Sequence, residues 1–203
     1  MFSYNCCVKE KKIQKLLDFA ELNDGYVSVA EAREKGIAQT YLCMAEEEGI
    51  FKKVCKGLYV KKGYEVDPFT ILHFRYRKAV FASRSALFLH GILKEQPKEL
   101  EVYLPRNYMT SGIEGSRSYH VSGDDFLLGL GLAVSPHGPL VPTYDKERAF
   151  LDVLRHYNRY EDEEYRSILS QAKSYDLDHE KLLRYADAFH VREAVEMALK
   201  GIW

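Results

Sequence analysis

Residues 13–62 read IQKLLDFAELNDGYVSVAEAREKGIAQTYLCMAEEEGIFKKVCKGLYVKK, and this stretch decides the predicted fold of the N-terminal part. Its apolar residues recur every three or four positions in three segments, which is typical of short amphipathic helices. Ser28 and Glu31 form a capping-box pattern, in which each side chain binds a free backbone N–H, so the second helix begins there. A glycine ends each helix, at Gly25, Gly36 and Gly49.

The stretch closes with a predicted β-hairpin. Apolar residues from Phe51 to Val60 supply the strands, and Lys56-Gly57 supplies the turn between them. Three short helices followed by a hairpin predict a winged helix-turn-helix over residues 1–64. That module presents one helix to a DNA groove, so residues 1–64 are expected to be a DNA-binding domain.

Two sets of polar side chains are the candidate DNA contacts. Side chains of the third helix that lie away from its apolar face would reach base edges, and the lysines of the hairpin would neutralise phosphates. The candidates are Gln39, Thr40 and Met44 on the helix, and Lys52, Lys53 and Lys56 on the hairpin.

The charge of this segment also favours an alternative. Glu46, Glu47 and Glu48 follow the expected base-reading residues and would repel phosphates. Residues 1–64 contain eleven Lys and Arg against nine Asp and Glu, so the segment is only slightly basic. A helix-turn-helix that contacts protein instead of DNA therefore stays open as an alternative.

The composition of the whole chain narrows the function classes. A net charge of −1 over 203 residues excludes a globally cationic DNA-packaging protein. No apolar run reaches the roughly 20 residues that span a bilayer, and the N-terminus lacks a signal-peptide pattern, so a cytoplasmic protein is expected. Cys6, Cys7, Cys43 and Cys55 lack the paired spacing of a zinc site, so free thiols and neither metal nor cofactor are expected.

Residues 65–203 are expected to form a second domain. Its first part, 65–144, predicts α+β structure with a small antiparallel sheet, including a strand pair around the turn at 136–139. Asp67 would cap a helix that begins at Pro68, and 105–118 is expected to be a long loop. From Asp145 onward, 145–203 predicts a C-terminal helical bundle. The predicted fold class is therefore α+β.

No established catalytic motif is present, so the protein is not expected to be an enzyme. The chain has no nucleotide-binding glycine loop and no HExxH metal motif. Arg148 and Asp152 lie four apart on a predicted helix and are expected to form a structural ion pair. Glu147 and Asp152 would be the carboxylates of a metal-dependent enzyme acting on nucleic acid or nucleotides, which is a rival interpretation.

Four strings carry a family resemblance. They lie in the same order along the chain as in that family and together extend over nearly all of it. The strings are KGLYV at 56–60, SALFLHG at 85–91, YDKERAFLDVLR at 144–155 and LLRYADAFHV at 182–191. In them the chain resembles the AbiEi-type antitoxins of bacterial abortive phage infection systems, the type IV toxin–antitoxin class. It departs from the family at Ala149, where threonine is usual.

The resemblance implies a bifunctional antitoxin. Its N-terminal domain would bind an inverted repeat in operator DNA and repress its own operon, as two monomers or a weak homodimer. Its C-terminal domain, braced by Arg148 and Asp152, would counter a nucleotidyltransferase-like toxin without forming a stable complex with it. The alternative is a winged-helix transcriptional regulator whose C-terminal domain senses a ligand or partner, with no toxin involved.

Overall fold

The computed structural model describes residues 2–110 and 113–202, and the side chains of residues 8–110 and 113–200. The chain divides into two compact units. The first is Met1–Arg75 together with Ser135–Pro139, and the second is Tyr76–Val134 together with Leu140–Trp203. Helices and strands occur in both units, which confirms the predicted α+β class.

The first unit combines helices with one small sheet. Its elements are α1 (Phe2–Glu21), β1 (Tyr26–Ser28), α2 (Val29–Glu34), α3 (Gln39–Glu47), β2 (Phe51–Cys55), β3 (Leu58–Lys61) and α4 (Pro68–Arg75). The strands pair antiparallel in the order β1-β3-β2, so β2 lies at an edge of this sheet.

Local sequence signals explain where these elements begin and turn. Ser28 Oγ accepts a hydrogen bond from the Glu31 backbone N–H at 3.1 Å, and the Ser28 N–H donates to Glu31 Oε2 at 3.1 Å, which confirms the capping box. Gly57 has a φ of +86° in the turn between β2 and β3, a conformation that favours glycine. The predicted hairpin is therefore confirmed.

Alternating residues of β3 separate two apolar clusters of the first unit. Tyr59 packs in a core with residues of α1, α2 and α3, whereas Leu58 and Val60 pack with Ile71 and Phe74 of α4. Because side chains alternate across a strand, the sheet lies between the three helices and α4. The first unit thus extends to Arg75, beyond the boundary predicted after residue 64, because α4 buries its apolar side against this sheet.

The second unit has a helical part and a five-stranded sheet. Its first elements are β4 (Val80–Phe81), α5 (Ser83–Leu89), β5 (Leu100–Pro105), β6 (Ser116–Val121), α6 (Asp124–Leu127), β7 (Leu130–Val134) and β8 (Leu140–Tyr144). Helices α7 (Lys146–Arg155), α8 (Asp162–Lys173), α9 (His179–Ala188) and α10 (Arg192–Ile202) follow, with a 3₁₀ turn at Tyr157–Arg159.

The five-stranded sheet is mixed, so the prediction of a small antiparallel sheet was wrong. Its strand order is β6-β5-β4-β8-β7, in which β5 pairs parallel with β6 and β4 pairs parallel with β8. Strand β6 begins at Ser116, inside the predicted loop 105–118, of which residues 111 and 112 lie outside the described residues. The local β7–β8 hairpin is antiparallel as predicted.

Helix α7 is the centre of the helical part. Every residue from Glu147 to Leu154 is buried, and Asp145 caps the helix by accepting a hydrogen bond from the Arg148 N–H at 2.8 Å. Apolar residues of α5, α7, α8, α9 and α10 form one cluster around it. Among the described residues, no helix combines the length and the apolar character needed to cross a bilayer.

Candidate nucleic-acid interface and buried arginine cluster

The polar side of α3 is exposed. Leu42 and Ala45 of this helix are buried in the first unit's core, whereas Gln39 and Thr40 are exposed and Met44 is 40% exposed. The three predicted base-reading side chains therefore lie at the surface, on the helix that packs against β2 and β3.

The N-terminus of α3 has backbone donors that its cap does not use. Ala38 is the N-cap residue and offers no side-chain acceptor to the N–H groups of the first turn. Such N–H groups, together with the positive end of the helix dipole, are a common anchor for a phosphate oxygen. Gln39 and Thr40 are the first two residues of this turn.

The predicted phosphate-binding lysines of the hairpin are also at the surface. Lys52, Lys53 and Lys56 are exposed, on edge strand β2 and in the turn after it. Lys61 of the same hairpin differs, because it is half-buried and forms an ion pair with Glu21 of α1. Three of the hairpin's lysines thus present their charges to solvent, while Lys61 is neutralised within the unit.

The acids of α3 lie at its opposite end. Glu46 and Glu47 end the helix, and Glu48 forms an ion pair with Lys9. At about 1.5 Å per residue, roughly 12 Å of helix separates Glu47 from Gln39. This distance exceeds the Debye length of about 8 Å at physiological salt, so repulsion between these acids and a phosphate near Gln39 is largely screened.

Arg148 and Asp152 form a fully buried ion pair on α7. Arg148 Nε lies 3.1 Å and 3.0 Å from the two carboxylate oxygens of Asp152, and neither side chain is exposed. Arg148 Nη1 also donates to the backbone carbonyls of Asp125 and Leu128, each at 2.8 Å. This arginine therefore ties α7 to the segment around α6.

Two more arginines lie beside this pair. Arg155 Nη1 is 3.3 Å from Asp152 Oδ1, and its guanidinium stacks on the Phe189 ring at 3.7 Å. The Arg159 guanidinium stacks on the Tyr119 ring at 3.8 Å. Stacking on aromatic rings keeps the apolar faces of guanidinium groups in contact with carbon while their N–H edges stay available.

Burial and neighbouring charges shift the pKa values of two groups beside these arginines, Asp152 and His156. Burial raises the pKa of Asp152 to about 6, although Arg148 and Arg155 pull it down. Burial lowers the pKa of His156 to about 4, and the neighbouring Arg159, Arg155 and Arg148 lower it further. His156 is therefore neutral at pH 7 and adds no charge to the three arginines.

The carboxylates of the rival enzyme interpretation have separate partners. Glu147 accepts hydrogen bonds from the Asp178 N–H at 3.1 Å and from Lys181 Nζ at 3.0 Å, whereas Asp152 faces Arg148. Among the residues whose side chains are described, no cluster of three or more metal-ligating side chains is arranged to hold a metal ion. Cys43 and Cys55 are free thiols, and the side chains of Cys6 and Cys7 lie outside the described residues.

Sequence reasoning missed Arg155 and Arg159 as members of this cluster, although a signal for them exists. The charged residues 148, 152, 155 and 159 follow one another at steps of four, three and four positions. This spacing places successive charges on one side of a helix. Tyr119, which comes from β6, has no comparable signal because it is distant in the chain.

The comparisons with known proteins give information about the fold only. No family model matches the chain, and no curated protein gives a significant match. Among solved structures, the crystal structure of the RV2827C protein from Mycobacterium tuberculosis is similar, with a TM-score of 0.53 and 15% sequence identity. The similarity covers 83% of this chain and 71% of that chain. At this identity it supports the α+β architecture and carries no statement about activity.

Proposed function

We propose that the first unit is a winged helix that binds duplex DNA. In this arrangement α3 enters the major groove and the β2–β3 hairpin serves as the wing along the phosphate backbone. The observation that carries the proposal is the joint exposure of Gln39 and Thr40 at the uncapped start of α3 and of Lys52, Lys53 and Lys56 on the hairpin. N-terminal residues of a recognition helix are those that contact base edges.

Exposed lysines on an edge strand also have a structural explanation. Charges on an edge strand prevent it from pairing with the edge of another sheet, and β2 is such a strand. This explanation accounts for Lys52 and Lys53, but not for the open N–H groups at the start of α3. The two explanations predict different results in a binding experiment. DNA affinity depends on these lysines if they contact phosphates, and does not depend on them if they only protect the strand edge.

The test is binding of the full chain to the duplex upstream of its own gene. Fluorescence anisotropy at two salt concentrations should give a tighter Kd for this duplex than for a scrambled one. The charge reversal Lys52→Glu/Lys53→Glu should weaken binding to both duplexes alike, since phosphate contacts carry no sequence information. The matched double reversal Lys94→Glu/Lys98→Glu, at exposed lysines of the second unit, should leave binding unchanged. Equal affinity for both duplexes would refute specific operator recognition.

For the whole chain, we propose an antitoxin of the type IV class that represses its own operon. The four strings shared with AbiEi-type antitoxins support this proposal, and the partner would be a nucleotidyltransferase-like toxin encoded beside it. Arg148 and Asp152 would brace the second unit, which would counter the toxin without a stable complex. Operator binding would involve an inverted repeat, occupied by two monomers or a weak homodimer.

Growth after co-expression tests the antitoxin proposal. The product of the adjacent gene should arrest growth when expressed alone, and the full chain should restore growth. A genomic neighbour that is neither toxic nor nucleotidyltransferase-like would refute the antitoxin role.

A second candidate function is a winged-helix transcriptional regulator without a toxin. The observation that favours it is a cavity of about 240 Å³ in the second unit, lined by Arg148, Arg155 and Arg159. A regulator of this kind needs a binding site for the small molecule that it senses. Such a regulator would change its operator affinity when a small molecule binds, and its neighbouring gene would be harmless to growth.

A further inference from the structure

The arginine-lined cavity of the second unit combines strands and helices that are distant in sequence. Tyr119 and His120 of β6 lie on its wall together with residues of α7 and the following turn. Those residues are Arg148, Arg155, His156 and Arg159. Its volume of about 240 Å³ lies just below the roughly 300–1,000 Å³ of pockets that hold drug-sized ligands. A small group therefore fits this cavity better than a large cofactor.

Positive charge exceeds negative charge within this cavity. Three guanidinium groups line the cavity, and the buried Asp152 carboxylate beside it pairs with two of them, those of Arg148 and Arg155. Asp125 is the acid that lines the cavity wall, and it is exposed to solvent. A positive charge removed from water is unfavourable unless an anion compensates it. The cavity therefore has the electrostatics of an anion site.

A buried hydrogen-bond donor at the cavity wall also lacks an acceptor. Among the described residues, the buried Arg148 Nη2 has no hydrogen-bond partner, and the buried Arg159 Nη1 and Tyr103 hydroxyl have none of ideal geometry. Arg148 is wholly buried. Burial raises the pKa of Tyr103, but Arg159 and Ser83 are both close enough to its hydroxyl to lower that pKa by hydrogen bonding, so Tyr103 and Arg159 partly satisfy each other. Buried polar groups are nearly always paired, so the open Arg148 Nη2 points to a missing acceptor.

We propose that this cavity binds the phosphate group of a small molecule, either free phosphate or the phosphate end of a phosphomonoester. A phosphate offers oxygens in tetrahedral directions and accepts from several residues at once, whereas a carboxylate offers two oxygens in one plane. Guanidinium groups bind phosphate through two parallel N–H bonds. The open Arg148 Nη2, the neighbouring Arg159 guanidinium and the surplus positive charge match that ligand. The proposal rests on neither DNA binding nor toxin neutralisation.

Isothermal titration calorimetry of the full chain tests this, with inorganic phosphate, AMP and adenosine as probes. Phosphate and AMP should bind the wild-type protein, and adenosine should not. Arg159→Gln removes one guanidinium group from the cavity wall and leaves the Arg148–Asp152 pair intact. It should weaken binding of both phosphates at least about tenfold, because a hydrogen bond to a charged group is worth about one factor of ten or more. The matched variant Arg166→Gln changes an exposed arginine outside the cavity and should bind like wild type.

The probes also separate the two sources of phosphate. AMP that binds more tightly than inorganic phosphate identifies a phosphomonoester site, and equal affinities identify a site for free phosphate. Absence of binding of both to the wild-type protein, or binding that Arg159→Gln leaves unchanged, would overturn the proposal and make the arginine cluster purely structural.

A measurement on the wild-type protein removes any dependence on how the variant folds. In nitrogen-edited NMR spectra, inorganic phosphate should shift the Nε resonances of Arg148 and Arg159 and leave that of Arg166 in place. Equal shifts at all three arginines would indicate general ionic effects and would count against the cavity.

Discussion

Arg148 and Asp152 face each other across one turn of α7 with no exposed surface on either side chain, their Nε and carboxylate oxygens 3.0–3.1 Å apart. Removing two charges from water costs free energy that their mutual attraction only partly returns. Arg148 offsets more of this cost by donating to two backbone carbonyls near α6. The pair therefore fixes the position of α7 more than it adds to stability.

Breaking this pair should be far more damaging than breaking a similar pair at the surface. Asp152→Asn leaves the Arg148 charge without its carboxylate and should lower the free energy of unfolding by about 3–5 kcal/mol. Asp187→Asn breaks the exposed pair with Arg192, at 2.6 Å, and should change the free energy of unfolding far less, because water already screens this pair. Urea unfolding of both variants measures the difference. Similar losses in the two variants would contradict the assignment of a buried, position-fixing role.

The titration of His156 should appear in the dependence of stability on pH. Its pKa falls from 6.5 to about 4 on folding, so the unfolded chain binds more protons between these values. The contribution of this imidazole is therefore complete above pH 6.5 and is lost as the pH falls towards 4. The pKa of Asp152 moves the other way, from 3.8 to about 6, and its contribution is lost as the pH rises through that window.

The variant His156→Asn separates these opposing slopes. The stability of wild type minus that of the variant should increase from pH 4 to pH 6.5 and stay constant above it, because only the histidine term differs. Chemical denaturation at a series of pH values measures it, with His190→Asn at an exposed site as the comparison for losing an imidazole. A difference that is independent of pH would show that His156 is not desolvated in the fold.

Gly129 is required by the close approach of α7. It has a φ of +79°, and an added Cβ would lie 2.7 Å from Arg148 Cβ and 3.1 Å from its Cγ. Gly115 has a similar φ of +73° with no atom within 4 Å of its added Cβ. Gly115→Ala should cost about 1–2 kcal/mol from backbone strain alone, and Gly129→Ala should cost about 1–3 kcal/mol more through overpacking. Thermal unfolding of both variants measures the two losses in the free energy of unfolding. Equal losses would show that α7 shifts to accommodate the added methyl group at residue 129.

The lysines of the hairpin should differ in their effect on DNA binding. Lys52 is exposed, whereas Lys61 pairs with Glu21. If Lys52 neutralises a phosphate, Lys52→Gln should reduce the slope of log K against log salt by about 0.9. Lys61→Gln should leave the slope nearly unchanged, since its charge is already compensated. Anisotropy titrations over a range of salt concentrations provide both slopes. The reverse order of effects would remove the hairpin from the proposed interface.

Much of the local structure was predictable because its causes are local. Asp67 accepts hydrogen bonds from the Phe69 and Thr70 N–H groups, as expected of the residue before a helix that begins at Pro68. The cap at Asp145 and the β7–β8 hairpin likewise involve partners only a few residues away. Signals of this kind are contained in short windows of sequence.

Strand β4 was not predicted, for the opposite reason. It comprises only Val80 and Phe81, and its parallel partner Thr143 donates from its hydroxyl to the Phe81 carbonyl from 62 positions away. Two apolar residues carry no periodic pattern, and a parallel partner leaves no turn between the strands to mark the pairing. Strand β4 connects β5 to β8 in the mixed sheet, and this arrangement could be recognised only from the tertiary structure.

The sequence alone determined the helix starts after Ser28, Asp67 and Asp145, which side of α3 is apolar and that Arg148 and Asp152 share a helix face. These properties depend on residues within about two helical turns. The tertiary structure decided that three arginines and two tyrosines line a single cavity, because that arrangement depends on how β5, β6 and α7 pack. Burial then turned an ordinary run of charges into a site with more positive charge than its own acids can neutralise.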